Sequence, residues 1–277
     1  MRGIGRYVLE FVRALKEELN DLELLISFNG QLRDEAISAR EVVRGLIDKP
    51  NIHIWHGVAD TGESVGGYTQ RRRLSEAALL HHVACLGVDL ALSTSPFEGF
   101  GDTAVPLLPA QNSFVPTACI FYDAIPWRFK ERYLPGKNAV ESYRRRIGTL
   151  QHSSLNLCIS EFSKSESRDL WPTVPAVNIM AGVSPEFLSY LGRDPTQDMR
   201  VASRPFALYV GGLDWRKNVA TIVDAFRLFP QSLKTTACLA LAGDHPKPLL
   251  DELCDRWRSV GLPDDQLVLL GHVSDER

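Results

Sequence analysis

The run Tyr209-Val-Gly-Gly-Leu-Asp-Trp-Arg-Lys-Asn218 holds the residues best suited to chemistry. Gly211 and Gly212 remove side chains where the backbone turns, so a bulky anion can approach the main chain. Arg216 and Lys217 add positive charge beside the start of the next helix, where unpaired N–H groups already favour an anion. The diphosphate of a nucleotide suits that environment. The same residues also suit an ordinary strand-to-helix turn with two exposed basic side chains, because Gly-Gly turns are common. Asp123 follows another apolar strand, at the edge where open α/β sheets bind ligands; it serves equally as a loop cap.

Other chemistries lack their residues. His53 with His56, and His81 with His82, have neither a cysteine partner nor a His-Glu-x-x-His frame, so no metal site is expected. No Gly-x-Ser-x-Gly, Cys–His pairing or Walker lysine is present. The five cysteines are odd in number and far apart, which fits small buried thiols in a reducing cytoplasm. With 31 basic and 34 acidic residues the net charge is −3, and nucleic-acid binding is not indicated. Arg71-Arg72-Arg73 and Arg144-Arg145-Arg146 read as solvated helix faces. A weaker alternative is peripheral contact with anionic lipid. No apolar stretch reaches the ~18 residues of a membrane span, and the charged N-terminus is not a signal peptide.

The elements that must position these residues alternate between helix and strand. Helices are expected over 5–19, 31–46, 69–86, 138–150 and from a Ser160 cap to about 170. Strands are expected over 22–28, 51–55, 88–94, 118–122, 155–159 and 177–180. Such Val/Ile/Leu-rich strands between helices imply a parallel sheet covered on both faces. Residues 185–204 are polar and proline-bearing and read as an inter-domain crossing. Strands at 206–210, 238–242 and 267–270 then alternate with helices at 219–229 and 247–260. Ser274 reads as a further N-cap, with Arg277 in the first turn. The fold class is α/β, with two Rossmann-like doubly wound domains: residues 1–184 and a partial domain at 205–277. Three strands after the crossing are fewer than the five or six of a complete domain, and Gly3-Ile-Gly5 opens a helix with no strand before it. Material is expected to be missing at both ends.

Gly-Gly-Leu-Asp-x-Arg-Lys-Asn resembles the donor-phosphate motif of GT-B glycosyltransferases of the retaining family 4. Five further stretches match in order: Gly3-Ile-Gly-Arg-Tyr7, Phe121-Tyr-Asp-Ala-Ile-Pro126, Ile159-Ser-Glu-Phe-Ser163 with Ala181-Gly-Val-Ser184, Leu241-Ala-Gly-Asp244 and Leu270-Gly-His-Val273. The resemblance spans nearly the whole chain. It implies transfer of a hexose from a UDP- or GDP-sugar to a glycan or lipid-linked acceptor, with retention and without a metal. The style of the N-terminal motif suggests mannose. Lys217 would contact the donor diphosphate, and Gly3 and Gly5 would lie near it.

The chain also departs from the pattern. Many relatives carry an arginine directly after the first glycine; here that place is Gly212, which gives its role to Arg216. The histidine of His-Asp is Tyr122, whose hydroxyl can still bond a sugar or phosphate, with Asp123 retained beside it. The acidic Glu-x7-Glu motif lies beyond Arg277. Phe97-Glu-Gly-Phe-Gly101 resembles its opening, yet the eighth residue after Glu98 is Pro106. Glu98 and Asp102 are therefore read as acceptor contacts in a first-domain loop, or as solvated carboxylates of a glycine loop. Two rival functions remain at this level: an inactive fragment or sugar-binding module, and a sugar-nucleotide epimerase.

Overall fold

The computed structural model describes residues 3–19, 21–189 and 204–273. The chain divides into two compact units, Met1–Leu188 and Ser189–Arg277. All strand pairs in both are parallel.

The first unit runs α1 (Gly3–Glu18), β1 (Ile26–Asn29), α2 (Arg33–Val43), β2 (Ile52–Trp55), α3 (Gln70–Cys85), β3 (Ala91–Ser93) and β4 (Thr117–Phe121). It continues α4 (Ile125–Arg128), α5 (Lys130–Tyr133), α6 (Lys137–Leu150), β5 (Leu155–Cys158), α7 (Glu161–Leu170), β6 (Ala176–Asn178) and α8 (Pro185–Leu188). Its strands make two sheets, β1-β2 and β3-β4-β5-β6. Thr69 and Ser160 cap α3 and α7, each accepting from the amide three residues on, at 3.3 and 3.0 Å. Every residue of β4 is buried, as its unbroken run of small and apolar side chains requires of a central strand. Phe121, Leu150, Cys158 and Trp171 form the core beside it, and the indole of Trp171 donates to Ile147 O at 2.7 Å.

The second unit runs β7 (Phe206–Val210), a 3-10 turn at Trp215–Lys217, α9 (Val219–Arg227), α10 (Gln231–Lys234), β8 (Cys238–Ala242), α11 (Lys247–Ser259) and β9 (Leu267–Gly271). Strand order β7-β8-β9 follows the sequence. Right-handed crossovers between sequential parallel strands put their helices on one face. Val223, Phe226, Leu253 and Trp257 of α9 and α11 accordingly pack on Leu239 and Leu241. On the other face Phe206, Leu208 and Val210 of β7 are exposed.

Several expectations change. Helix α1 begins at Gly3, two residues before the expected start, so Gly3 and Gly5 both lie in its first turn. The expected crossing begins with a helical turn, α8, and residues 190–203 lie outside the described residues, as do Ser274 and Arg277. The two arginine runs are not simply solvated: Arg72 and Arg146 are buried at 0% and 1% exposure, whereas Arg71, Arg73 and Arg144 are exposed. Cys119, Cys158 and Cys238 are buried, Cys254 is half-buried and Cys85 is exposed. No helix of the described residues is long and apolar enough to cross a membrane.

Candidate functional site

In the second unit, all three strands end on glycine in a left-handed or related conformation. Gly211 has φ +136°, Gly243 +134° and Gly271 +68°. The three are joined sideways: Gly211 N–H donates to Ala242 O at 3.1 Å, and Gly243 N–H to Gly271 O at 2.8 Å. A side chain on Gly243 would press on Gly211 O at 3.1 Å, so the rim is closely packed main chain. The Tyr209 hydroxyl reaches forward and donates to Gly212 O at 2.6 Å, closing the turn. Its phenol is pushed up by burial and by Asp214.

Beyond the rim, the Asp214 carboxylate accepts the Arg216 amide at 2.9 Å and pairs with its guanidinium at 2.8 Å. Lys217 is exposed, and its ammonium makes no hydrogen bond or ion pair among the described residues. Asn218 follows with φ +49°, and no side chain caps α9. The Thr221 amide bonds Asn218 O at 3.0 Å, and the Val219 and Ala220 amides stay available beside Lys217, an arrangement that attracts an anion. The structure thus brings Gly211, Gly212, Arg216 and Lys217 into one turn. The sequence motifs contain Tyr209, Gly243 and Gly271 without giving them a role, although both glycines stand at strand ends as Gly211 does.

In the first unit, Tyr122 and Asp123 follow β4 directly. Helix α7 pins this turn: Ser163 Oγ donates to Tyr122 O, and the Ala124 amide donates to buried Glu166 at 3.2 Å. Arg128 pairs with the other Glu166 oxygen. Asp123 caps the turn, accepting the Ile125 amide at 2.9 Å. The Tyr122 hydroxyl is buried without a hydrogen-bond partner among the described residues. Burial, Tyr7 and Glu98 together hold its phenol well above the usual range. The Tyr7 ring meets it edge-on at 5.7 Å. The Tyr7 hydroxyl donates to Met180 O at 2.7 Å. Met180 lies past β6 with φ +59°, and its amide donates to Asn178 Oδ1 at 2.8 Å. A long side chain in that conformation is costly and marks a place the surroundings over-determine.

Glu98 is exposed, in the loop after β3. It accepts from Ser95 Oγ at 3.2 Å through Oε1, and Oε2 takes no hydrogen bond among the described residues. Asp102 turns back on its own loop, accepting the Ala104 amide at 2.8 Å. The Glu98 charge is felt at the Tyr122 phenol, whereas Asp102 acts locally. Gly3 and Gly5 sit one turn before Tyr7. The missed residues are Tyr7, Ser163, Glu166 and the buried arginines; the Ser-Glu-Phe-Ser motif was visible, but its task of bracing Tyr122 was not. Among the described residues no three His, Cys, Asp or Glu side chains gather as a metal set.

No family model matches the sequence. In sequence the chain is similar to the serotype-specific mannosyltransferase WbdA of Escherichia coli, 26% identical over 283 residues, covering all of this chain and 34% of that protein. It is also similar to the O-antigen chain mannosyltransferase B of Escherichia coli, 29% identical over 136 residues, covering 46% of this chain and 34% of that protein. The chain thus spans about a third of the length of these relatives. In structure it resembles Anabaena HepE in complex with UDP and glucose, with TM-score 0.59 and 13% identity over 99% of this chain and 67% of that one. It also resembles WaaG, a glycosyltransferase involved in lipopolysaccharide biosynthesis, with TM-score 0.53 and 14% identity over 92% of this chain and 70% of that one. The fold is α/β with parallel sheets, of the GT-B type.

Proposed function

We propose that this chain, a GT-B-fold relative of bacterial mannosyltransferases, is part of a retaining hexosyltransferase acting from a nucleotide-diphosphate sugar in polysaccharide synthesis. The observation that carries the reading is the turn after β7. Side-chain-free main chain, an uncapped helix start and the unpaired ammonium of Lys217 meet there. Preorganised donors and positive charge at developing negative charge are the largest common source of rate enhancement.

Lys217 and the amides of α9 hold the departing diphosphate. The bond from the anomeric carbon to the phosphate oxygen breaks, and a bond to the acceptor oxygen forms on the same face. The acceptor proton passes to the leaving phosphate oxygen, so no protein base is required. Arg216 lends charge once it leaves Asp214. Tyr122 donates its hydroxyl to a sugar or phosphate oxygen, beside Asp123. Glu98 and Asp102 belong to the acceptor side. Either UDP or GDP suits a site made of main chain and lysine. The bare apolar face of β7 supports reading 205–277 as part of a donor domain.

The test is calorimetric binding of UDP- and GDP-sugars to the complete protein and to Lys217→Ala. A charged hydrogen bond is worth about 1.5–3 kcal/mol, so affinity should fall roughly 10- to 100-fold. Equal affinity in the variant for both donors removes Lys217 from the site. Turnover of the donor without any acceptor would favour an epimerase instead.

A further inference from the structure

Two arginines withdrawn from solvent converge on one buried carboxylate. Glu63 Oε1 lies 3.0 Å from Arg146 Nη2, 3.4 Å from Arg72 Nε and 2.7 Å from Arg145 Nη2. Buried charges persist only when paired and hydrogen-bonded. Arg72 Nε also donates to Glu76 Oε1 at 2.9 Å, Arg72 Nη2 and Arg146 Nε have no hydrogen-bond partner among the described residues, and one Nη of each arginine reaches main-chain carbonyls. Arg146 donates to Phe97 O. Arg72 donates through Nη1 to Ala104 O at 2.7 Å and Gly99 O at 3.2 Å. Phe97 and Gly99 are the residues on either side of Glu98. The loop has no slack: Gly99 has φ +80°, and a Cβ there would lie 1.8 Å from Ala104 O. The Glu63 and Ser64 amides both donate to Phe100 O at 2.8 Å, tying the carboxylate's own loop to the same segment.

We infer that Arg72 and Arg146 are positioning residues for the acceptor: by gripping the carbonyls that flank Glu98, they fix its carboxylate where it accepts a hydrogen bond from an acceptor hydroxyl. The inference rests on the reading of Glu98 as an acceptor contact. Each arginine comes from a different helix, α3 or α6; Glu63 holds the Arg146 guanidinium at 3.0 Å, and Arg72 lies between Glu76 at 2.9 Å and Glu63 at 3.4 Å. A lysine keeps the charge but cannot bridge a carboxylate and a carbonyl with one planar fork.

The test compares Arg72→Lys and Arg146→Lys in the complete protein with the exposed control Arg144→Ala. Initial rates are measured with a nucleotide-sugar donor and a glycan acceptor, alongside hydrogen exchange of the amides of 97–104. In either Lys variant the acceptor KM should rise about tenfold, while donor KM and kcat move less than about twofold. The loop amides should exchange about tenfold faster, with Arg144→Ala like the parent. In a Glu98→Gln background Arg72→Lys should add less than about twofold to the acceptor KM, because the two changes act through one contact. The two Lys variants hit different carbonyls, so failure of one to fold leaves the other to decide. Sugar transfer by the parent with acceptor KM unmoved in the Lys variants, or a full multiplicative effect over Glu98→Gln, overturns the inference alone. A parent that transfers no sugar overturns the reading of the site together with it.

Discussion

Asp214 and Arg216 form an ion pair inside the turn after β7, with Oδ1 2.8 Å from Nε. The pair spans two residues and competes directly with any anion for the guanidinium. Each side chain is about a third exposed, so the pair itself contributes little to stability.

Releasing Arg216 should therefore favour a phosphate. Asp214→Asn keeps an oxygen to cap the Arg216 amide but drops the negative charge. Nucleotide-diphosphate affinity should rise about three- to tenfold, with a steeper loss on adding salt, for a stability change within about 1 kcal/mol. Calorimetry at two ionic strengths checks this; unchanged or weaker binding counts against a phosphate role for Arg216.

Gly211 and Gly212 should separate folding from binding. Gly211 has φ +136°, so Gly211→Ala should cost about 1–3 kcal/mol in a denaturant melt. A Cβ on Gly212 meets nothing within 4 Å, so Gly212→Ala should stay within about 0.5 kcal/mol. Its nucleotide affinity should nevertheless drop about tenfold or more, since a methyl would stand where the phosphate approaches. Full affinity in stable Gly212→Ala would place the ligand elsewhere.

Tyr122→Phe removes a buried hydroxyl that has no partner among the described residues. Deleting an unsatisfied buried group should leave stability unchanged or raise it by about 1 kcal/mol. Sugar transfer should fall about tenfold or more, because the ligand is then the hydroxyl's partner. A variant that is both less stable and fully active would reverse the assignment.

Most of this architecture can be read from the chain where burial is two-sided or a cap is explicit. Cys238–Ala242 is an unbroken small-apolar run and forms a fully buried strand over the expected residues. Ser160 caps the helix expected of it, and Thr69, expected as the first helical residue, caps α3. Short helices escape such reading: α4 and α5 have four residues each, too few for a hydrophobic period. The site was legible where one segment supplies it, as at 209–218. It was hidden where partners are distant in sequence. In a run of three arginines on a helix, neighbours point about 100° apart, so only the middle or last one faces inward, and only tertiary contact with Glu63 reveals which. Tyr7 and Tyr122 likewise meet through the fold alone.

Glu63 also predicts a pH dependence. Burial alone would raise its carboxyl, but Arg146, Arg145 and Arg72 override that and hold it below the usual carboxylate range. A depressed folded value gives stability that is fully present above the unfolded pKa of about 4.3 and is lost as pH falls through the lower folded value. Glu63→Gln should therefore show a shallower loss of stability between about pH 5 and 3. At pH 7 it should be less stable by about 3–5 kcal/mol, since buried Arg146 loses its counter-charge and buried Arg72 is left with Glu76. Urea melts across that range check both; an equally steep acid limb in the variant would assign the acid sensitivity to other groups.

Gly211, Gly243 and Gly271 leave the rim of the β7–β9 sheet as a floor of bare peptide. Peptide dipoles sense charge and shape but carry no signature of a particular base or sugar. Such a floor is blind to the ligand's identity, so a different donor preference can evolve in the surrounding loops without disturbing the part proposed to grip the phosphates.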